Sequence, residues 1–564
     1  MMTTDTVYRH LGSSFLLIPV SLMFITSAAF LLGAAVAPWM FPCAVTVGLA
    51  YLFMVRQPLL KAITVYVATV AASLLLMCNV YEISFDGFMY HLYTVVSLKD
   101  GWVPTVVGEH APVTSLWTLH YAKIIETQQA CVVSTVGSIY AGRAINVVYI
   151  ASLVCYAADF MAAKNLKKGL FVVAVASNPV LVTQFMTSYI DFYGYIFACL
   201  SLYYIIRIST RERGDAVDWV MLFCVSLLAV GTKFNIFFNQ GVVLVLWLVY
   251  ILYNRRYKLA GRLFCWGVAL LLTVPLVFYH PYVTNMLSCG NPLYPLLGSA
   301  VDIMTDNTPD VYLDIDNRFV SFFYNLVAPW HSHAYWTVTY DSPIGGFGPF
   351  LIVILVVAAL FFIKNRGEYD KAALYIIVCT FLSCFVFEQS WWARYICQLW
   401  IIVAVVAYHA VRMRKRKTSY FLATLCALTM LLMSYQFLRS VAYTINQKNY
   451  SQMLEGATVR ILPPEKSVFC PIIPEILDEL NVKYEVADSI DPCHTIDFGA
   501  GAVLGEVPED RYGMISCYVH SRPRRLQKYF WPFKTPEVIA DRLEIQEAER
   551  LHVESIKPTH LWEK

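Results

Sequence analysis

The sequence predicts a multi-span α-helical membrane protein with a small α/β extracytoplasmic domain at its C-terminal end. Three observations predict it. The 564-residue chain is 58% hydrophobic and 14% charged, with a mean hydropathy of +0.56, whereas soluble domains are about 25% charged. Apolar runs of about 17–25 residues, long enough to cross a ~30 Å hydrocarbon core, recur through residues 1–438. Residues 439–564 lack such runs and have the mixed polarity of a soluble fold. An aromatic content of 15% fits residues placed at lipid–water boundaries and between packed helices. The net charge of +3, with no basic run interleaved with aromatics, argues against nucleic acid as a partner.

In order, the apolar runs give about thirteen spans: 13–36, 40–55, 60–80, 139–162, 169–187, 190–208, 217–237, 240–254, 263–280, 347–363, 372–388, 393–411 and 418–438. The first follows Arg9 and His10 but is too long, and lacks the cleavage site, for a signal peptide, so it reads as a retained span. Basic residues then set the orientation. Arg56 and Lys61 follow the second span, Lys164, Lys167 and Lys168 the fourth, and Arg207, Arg211 and Arg213 the sixth. Arg255, Arg256, Lys258 and Arg262 follow the eighth, Lys364 and Arg366 the tenth, and Arg412, Arg414, Lys415, Arg416 and Lys417 the twelfth. Six even-numbered exits are basic and the odd ones are not. The positive-inside rule makes those turns and the N-terminus cytoplasmic. The loops 81–138 and 281–346 and the tail 439–564 then lie outside.

Within the tail, Lys466-Ser467-Val468-Phe469-Cys470 reads as a strand, Glu475 to Leu480 as a helix, Val482 to Val486 as a second strand, and Pro536 to Leu551 as a solvated helix. Cys470, Cys493 and Cys517 allow one disulfide and one leftover thiol, with the pairing open. Most of the other cysteines fall in spans, where they act as small hydrophobes.

The outer-face polar residues are the candidates for chemistry. The first loop supplies Glu82, Asp86, Tyr90, His91, Lys99, Asp100, Glu109 and His110. Later outer turns supply Tyr189 and Asp191, then Lys233, then His280, Asn291 and Tyr294. Asp314, Asp316, Arg318, His331, His333 and Asp341 follow, and last Glu388, Arg394 and Tyr395. Charged side chains placed at a membrane edge face water, a partner or a substrate. Asp86 and Asp191 are expected to converge with Lys233 and Arg394 in a charged pocket. Each has a structural rival: Asp86 as a helix cap, Lys233 as a snorkelling lysine, Arg394 as an interfacial cation–π anchor. His331, His333 and Asp341 read mainly as surface residues, so no metal site is assigned.

The order Asp86-Gly87-Phe88-Met89-Tyr90-His91, Asn178-Pro179, Tyr189-Ile190-Asp191, Gly290-Asn291-Pro292-Leu293-Tyr294-Pro295, Gly345-Gly346-Phe347-Gly348 and Arg394-Tyr395 resembles the GT-C superfamily of integral-membrane glycosyltransferases. That group contains the aminoarabinose transferases of lipid A and the protein O-mannosyltransferases. The motifs cover about residues 86–395. One departure is that many relatives carry two adjacent acids in the first loop, where this chain has Asp86 followed by Gly87. The resemblance implies a GT-C-like catalytic domain in the inner membrane of the cell envelope. It implies a polyprenyl-phosphate sugar as donor, drawn from among the membrane lipids, and a glycan, lipid or protein as acceptor. Asp86 is then the base that takes the acceptor proton, and Asp191 positions the acceptor or a divalent cation. Lys233 and Arg394, with Arg143 as a third, bind the leaving phosphate. Tyr90, His91, Tyr189, Asn291, Tyr294 and Tyr395 contact substrate. The rival classes are a transporter or flippase for a lipid-linked or polar solute, and an O-antigen polymerase or ligase.

Overall fold

In a computed structural model, the described residues are 4–55, 59–106, 116–161, 165–210, 215–297, 308–315, 317–336, 338–365, 368, 370–387, 389–467, 469–498, 503–520 and 536–556. Of the residues singled out above, Arg56, Glu109, His110, Lys164, Arg211, Arg213, Asp316, Arg366, Glu388 and Val468 lie outside them. The membrane part begins with α1 (Thr4–Leu31), α2 (Met40–Met54) and α3 (Leu59–Cys78). The first long loop contributes α4 (Leu92–Lys99), α5 (Leu116–His120) and α6 (Ile124–Val136). Then follow α7 (Ala144–Phe160), α8 (Asn165–Ala176), α9 (Pro179–Gln184), α10 (Tyr193–Thr210), α11 (Ala216–Val230), α12 (Phe234–Tyr253) and α13 (Tyr257–Val277). The second loop holds α14 (Thr284–Cys289), α15 (Asp310–Leu313) and α16 (Arg318–His331). The bundle closes with α17 (Phe350–Lys364), α18 (Lys371–Ser383), α19 (Ile401–Arg412) and α20 (Arg416–Met453).

Among the described residues, six helices are long and apolar enough to cross a membrane, and five more are apolar but shorter. α13 shows why the bundle belongs in lipid: Phe264, Leu271, Leu272 and Leu276 are each more than 60% exposed. A soluble protein does not present such a continuous apolar face to water. The expected fifth span, 169–187, is not one helix. The Pro179 ring disfavours a helical Asn178, so α8 ends there. Asn178 instead caps α9, its side-chain oxygen accepting from the amides of Val180 and Leu181.

Three of the helices stop short in the same way. The C-terminal ends of α9, α11 and α18 pass into irregular segments, Phe185–Phe192, Gly231–Lys233 and the described residues of 384–396. Residues 186–192, 231–233 and 390–396 are buried throughout. Non-helical backbone near membrane depth survives where protein or a polar cavity surrounds it. These are the segments that carry Asp191, Lys233 and Arg394.

α20 runs 38 residues, roughly 57 Å at 1.5 Å per residue, and passes without a break through position 439 into the C-terminal domain. That domain has a four-stranded sheet of order β2-β1-β4-β3, from β1 (Thr458–Ile461), β2 (Lys483–Val486), β3 (Thr495–Asp497) and β4 (Leu504–Glu506). β1 and β2 are parallel, joined by α21 (Ile473–Glu479), and the other pairs are antiparallel. The helices α22 (Glu509–His520) and α23 (Pro536–Ile556) complete it. The predicted second strand and both predicted helices are present. The predicted first strand at 466–470 is not: the described residues there form turns, and the sheet instead uses Thr458–Ile461, whose Val459 and Ile461 alternate into the core. Cys470, Cys493 and Cys517 are not joined in a disulfide, with Cys470 buried and the other two exposed.

The domain rests on the first long loop. The Glu479 carboxylate accepts from the Ser138 hydroxyl at 2.6 Å and the Ile139 amide at 3.2 Å. Phe469 packs on Phe85 with ring centroids 5.3 Å apart. The next residue is Asp86.

Candidate functional site

The first-loop segment is built around a buried acid. Glu82 is fully buried and accepts hydrogen bonds from the amides of Ile83, Ser84 and Ser188 and from the hydroxyls of Ser84 and Ser188. A Cβ on residue 87 would stand 2.8 Å from the Glu82 carboxyl carbon, so the position next to Asp86 has no room for a second acid. Past it, Gly87–His91 widens into one turn of π-helix, a distortion frequent at functional sites.

Asp86 is not a helix cap, since its side chain makes no capping hydrogen bond. Its Oδ2 takes a hydrogen bond from Arg394 Nη1 at 2.9 Å and another from the Tyr90 hydroxyl at 3.2 Å. Arg394 is the centre of the cluster. The same nitrogen lies 3.5 Å from Asp341 Oδ1 and 4.0 Å from Asp191 Oδ2. Asp191 in turn accepts from Lys233 Nζ at 2.7 Å. Rings enclose the guanidinium: its carbon lies 3.9 Å from the Trp392 centroid and 5.1 and 5.3 Å from those of Tyr395 and Tyr189. The Tyr189 hydroxyl donates to Asp341 Oδ2 at 3.1 Å.

Five chain segments far apart in sequence therefore meet at one point. α10 and α12 begin beside it, as does the short helical turn leading into α19. Helix N-termini carry partial positive charge, which offsets the one excess carboxylate among three acids and two cations. The Gly345–Gly348 motif brings Asp341 in. A Cβ on Gly346 would lie 2.7 Å from that of Ala393, so the loop presses directly on the residue before Arg394.

Burial and charge act differently on the three acids. Asp191 is sealed; burial alone would raise its pKa, but Lys233 and Arg394 more than offset that and hold it below the usual carboxylate value. Asp341 is pushed above that value by burial and by Asp86 and Asp191, against the pull of Arg394. Arg394 stays charged, because the surrounding Tyr395, Asp341, Asp86 and Asp191 outweigh its own burial.

Of the sequence candidates, Asp86, Asp191, Lys233, Arg394, Tyr90, Tyr189 and Tyr395 are brought together. His91 lies just beneath, 1% exposed, with Nδ1 2.7 Å from Glu126 Oε1 and its ring against Tyr90 and Tyr189. Arg143 is not brought here. It is buried against Glu82, 3.9 Å away, and donates to the carbonyls of Tyr140, Met186 and Val80, so its fork is spent on holding backbone. Asn291 and Tyr294 are also elsewhere. Asn291 builds its own turn through Leu293 and Leu297, and Tyr294 packs edge-on against His120. His331 stacks on Tyr324 and His333 meets Trp336.

A second polar group adjoins the first. Lys123, 6% exposed, donates to the Tyr121 carbonyl at 2.6 Å and touches His280 Nε2. His280 Nδ1 meets the Thr284 hydroxyl at 2.9 Å, and His120 Nδ1 is 2.9 Å from Asn285 Oδ1. Burial pulls Lys123 down to about 7, despite Glu126. His120 falls to about 4, again through burial first. Tyr121 links the two groups: its carbonyl holds Lys123, while burial and then Tyr395, Asp191 and Asp86 push its hydroxyl pKa up. Lys123 was not a sequence candidate. Its signal in the sequence is faint: one lysine two residues past His120-Tyr121, just before Ile124-Ile125.

Among the described residues, no group of three His, Cys, Asp or Glu side chains is arranged to hold a metal ion. Asp86, Asp191 and Asp341 converge on a guanidinium, so a divalent cation does not fit this donor set as it stands. No protein-family model, curated protein or solved structure matches the chain.

Proposed function

We propose that this protein is a membrane glycosyltransferase that moves a sugar from a polyprenyl-phosphate donor to an acceptor hydroxyl at the outer face of the cytoplasmic membrane. The observation that supports it is the meeting of Asp86, Asp191 and Asp341 with Arg394 and Lys233 at helix N-termini, beside the buried Lys123–His280 group. In the reaction the bond from sugar C1 to the phosphate oxygen breaks and a bond from C1 to the acceptor oxygen forms. The phosphate leaves with the electron pair, and the acceptor proton passes to a carboxylate.

The roles follow from exposure and pairing. The Asp191 side chain is fully buried and locked to Lys233, so this pair positions the site. Asp86 and Asp341, with side chains 17% and 28% exposed, face the acceptor, and Asp86 is the base. Arg394 stabilises charge on the leaving phosphate. Lys233, neutralised by Asp191, serves the phosphate less well than Lys123, whose amine is poised to take up a proton as an anion arrives. The orientation that puts this face outside rests on the basic turns, of which Arg255, Arg256, Arg412 and Arg414 follow the opposite ends of α12 and α19. Buried acids and cations gathered at one end of the bundle, instead of near its middle, favour an enzyme over a carrier.

The test is release of polyprenyl phosphate by the purified chain from a panel of polyprenyl-phosphate sugars. Transferase activity predicts acceptor-dependent release. Sugar-lipid movement across vesicles without release would establish the carrier instead.

A further inference from the structure

Two cavities run along the helices of the bundle, reaching the ends opposite the charged cluster. The first, about 300 Å³, lies between α7, α8, α10, α18 and α19. The second, about 230 Å³, lies between α10, α12 and α18. Both are far larger than the ~30 Å³ that one water occupies in the liquid. They share Leu202, Ile206, Ala372 and Ile376, so they flank one line of contact between α10 and α18. Their walls are mainly aliphatic and aromatic. Their mouths meet at Thr210 and Asp370, with Arg412 on the rim of the first and Arg256 on the rim of the second.

We propose that this paired cleft holds one anionic glycerophospholipid, an acyl chain in each cavity and the phosphate between Arg256 and Arg412. Two apolar pockets joined at one polar mouth match a two-chain amphiphile, and two arginines at that mouth match an anionic headgroup. Each arginine has donors to spare. Arg256 donates from Nη1 to the Ser209 carbonyl at 2.6 Å, and Arg412 only grazes the Tyr408 hydroxyl at 3.5 Å. The acid at the mouth is occupied: Asp370 caps α18 by accepting from the Ala372 amide at 2.9 Å. Deep in the second cavity the amide oxygens of Asn239 and Gln398 are buried without hydrogen-bond partners. That end is polar enough for water, and the chain in it stops short. By the orientation of the basic turns, the lipid comes from the inner leaflet. The two arginines lie at the opposite end of the bundle from the charged cluster, and the site does not depend on the chemistry proposed there.

Trp247 lines the second cavity, 4% exposed, with its indole N–H on the Ser209 hydroxyl, and reports its contents. The full chain is reconstituted in phosphatidylcholine vesicles doped with chain-brominated phosphatidylglycerol, or with chain-brominated phosphatidylcholine at the same fraction. Stronger quenching by the anionic lipid is expected, and Trp247→Phe should remove that excess. Arg256→Ala and Arg412→Ala should each lower the preference roughly fivefold, while Arg256→Lys and Arg412→Lys should keep most of it and control for folding. Equal quenching by the two lipids, or an excess that survives Trp247→Phe, overturns the proposal. So does native mass spectrometry that finds a polypeptide, and no phospholipid, on the purified protein.

Discussion

Asp86→Asn separates chemistry from scaffolding at the charged cluster. An asparagine oxygen still accepts from Arg394 and Tyr90, now at 2.9 and 3.2 Å, but it takes no proton from an acceptor. The structural cost is bounded by what Arg394 keeps. Asp341 at 3.5 Å and Asp191 at 4.0 Å remain, so the guanidinium is not orphaned. The loss is that of one charge-assisted contact, roughly 1.5–3 kcal/mol, rather than the ~3–5 kcal/mol of an uncompensated buried charge. No helix cap is lost either, because the side chain caps nothing. The protein should fold and still bind donor. Turnover should fall by about two to four decades, the usual effect of removing a general base. The assay is the acceptor-dependent release of polyprenyl phosphate, with donor binding measured separately. Near-normal turnover in Asp86→Asn, with a large loss in Asp341→Asn, would refute Asp86 as the base and give the role to Asp341. Near-normal turnover in both would end the carboxylate-base mechanism.

Four further outcomes are expected. Lys233→Met should destabilise the protein by about 3–5 kcal/mol, because it leaves Asp191 charged and buried, and adding Asp191→Asn should recover part of that loss; additive effects in thermal unfolding would count against the pair. Asp341→Asn should leave the midpoint of thermal unfolding at neutral pH equal or higher: a raised folded-state pKa gives stability below the ordinary carboxylate value that is lost as pH rises through the folded one, and the variant should flatten that dependence. Binding of polyprenyl phosphate should weaken, up to about tenfold per unit, as pH rises above the value at which Lys123 loses its proton, about 7 in the free protein and higher with the anion bound, and Lys123→Met should abolish the dependence; an unchanged profile in the variant would remove Lys123 from the phosphate site. The exposed thiols of Cys493 and Cys517 should react with a membrane-impermeant maleimide from outside intact cells, and labelling that requires an opened inner face would reverse the orientation.

What could be read from the sequence was what rests on local pattern. Apolar runs located α1–α3, α7, α10–α13 and α17–α20 but not the loop helices α4–α6 and α14–α16, and residue type picked out Asp86, Asp191, Lys233 and Arg394, which do meet. What could not be read depends on partners brought from elsewhere. Nothing near Arg143 in sequence reveals that Glu82 waits beside it with three backbone carbonyls, so a structural arginine looked like a phosphate ligand. Asp341 was seen beside two histidines and weighed as a metal ligand, whereas the Gly345–Gly348 turn delivers it to Arg394. Lys123 gave a weak signal because one lysine in a loop carries no period. The span count failed at Asn178-Pro179, where hydropathy continues smoothly across a backbone that breaks.

That break explains the site more than it mars the prediction. A helix satisfies its own backbone and so can cross lipid unaided, but it offers a substrate only side chains along its flank. Where α9, α11 and α18 stop early, their chains continue through buried irregular segments, and those segments turn Asp191, Lys233 and Arg394 inward at one depth. The following helices then begin at that depth, and their N-termini face the same point. Each short helix loses part of its reach across the bilayer; in return its connecting segment can hold a charge that lipid alone would not tolerate. The pairing of Asp191 with Lys233 and of Arg394 with three acids keeps those segments in place, so the contacts that build the site are also those that make the shortened helices stable.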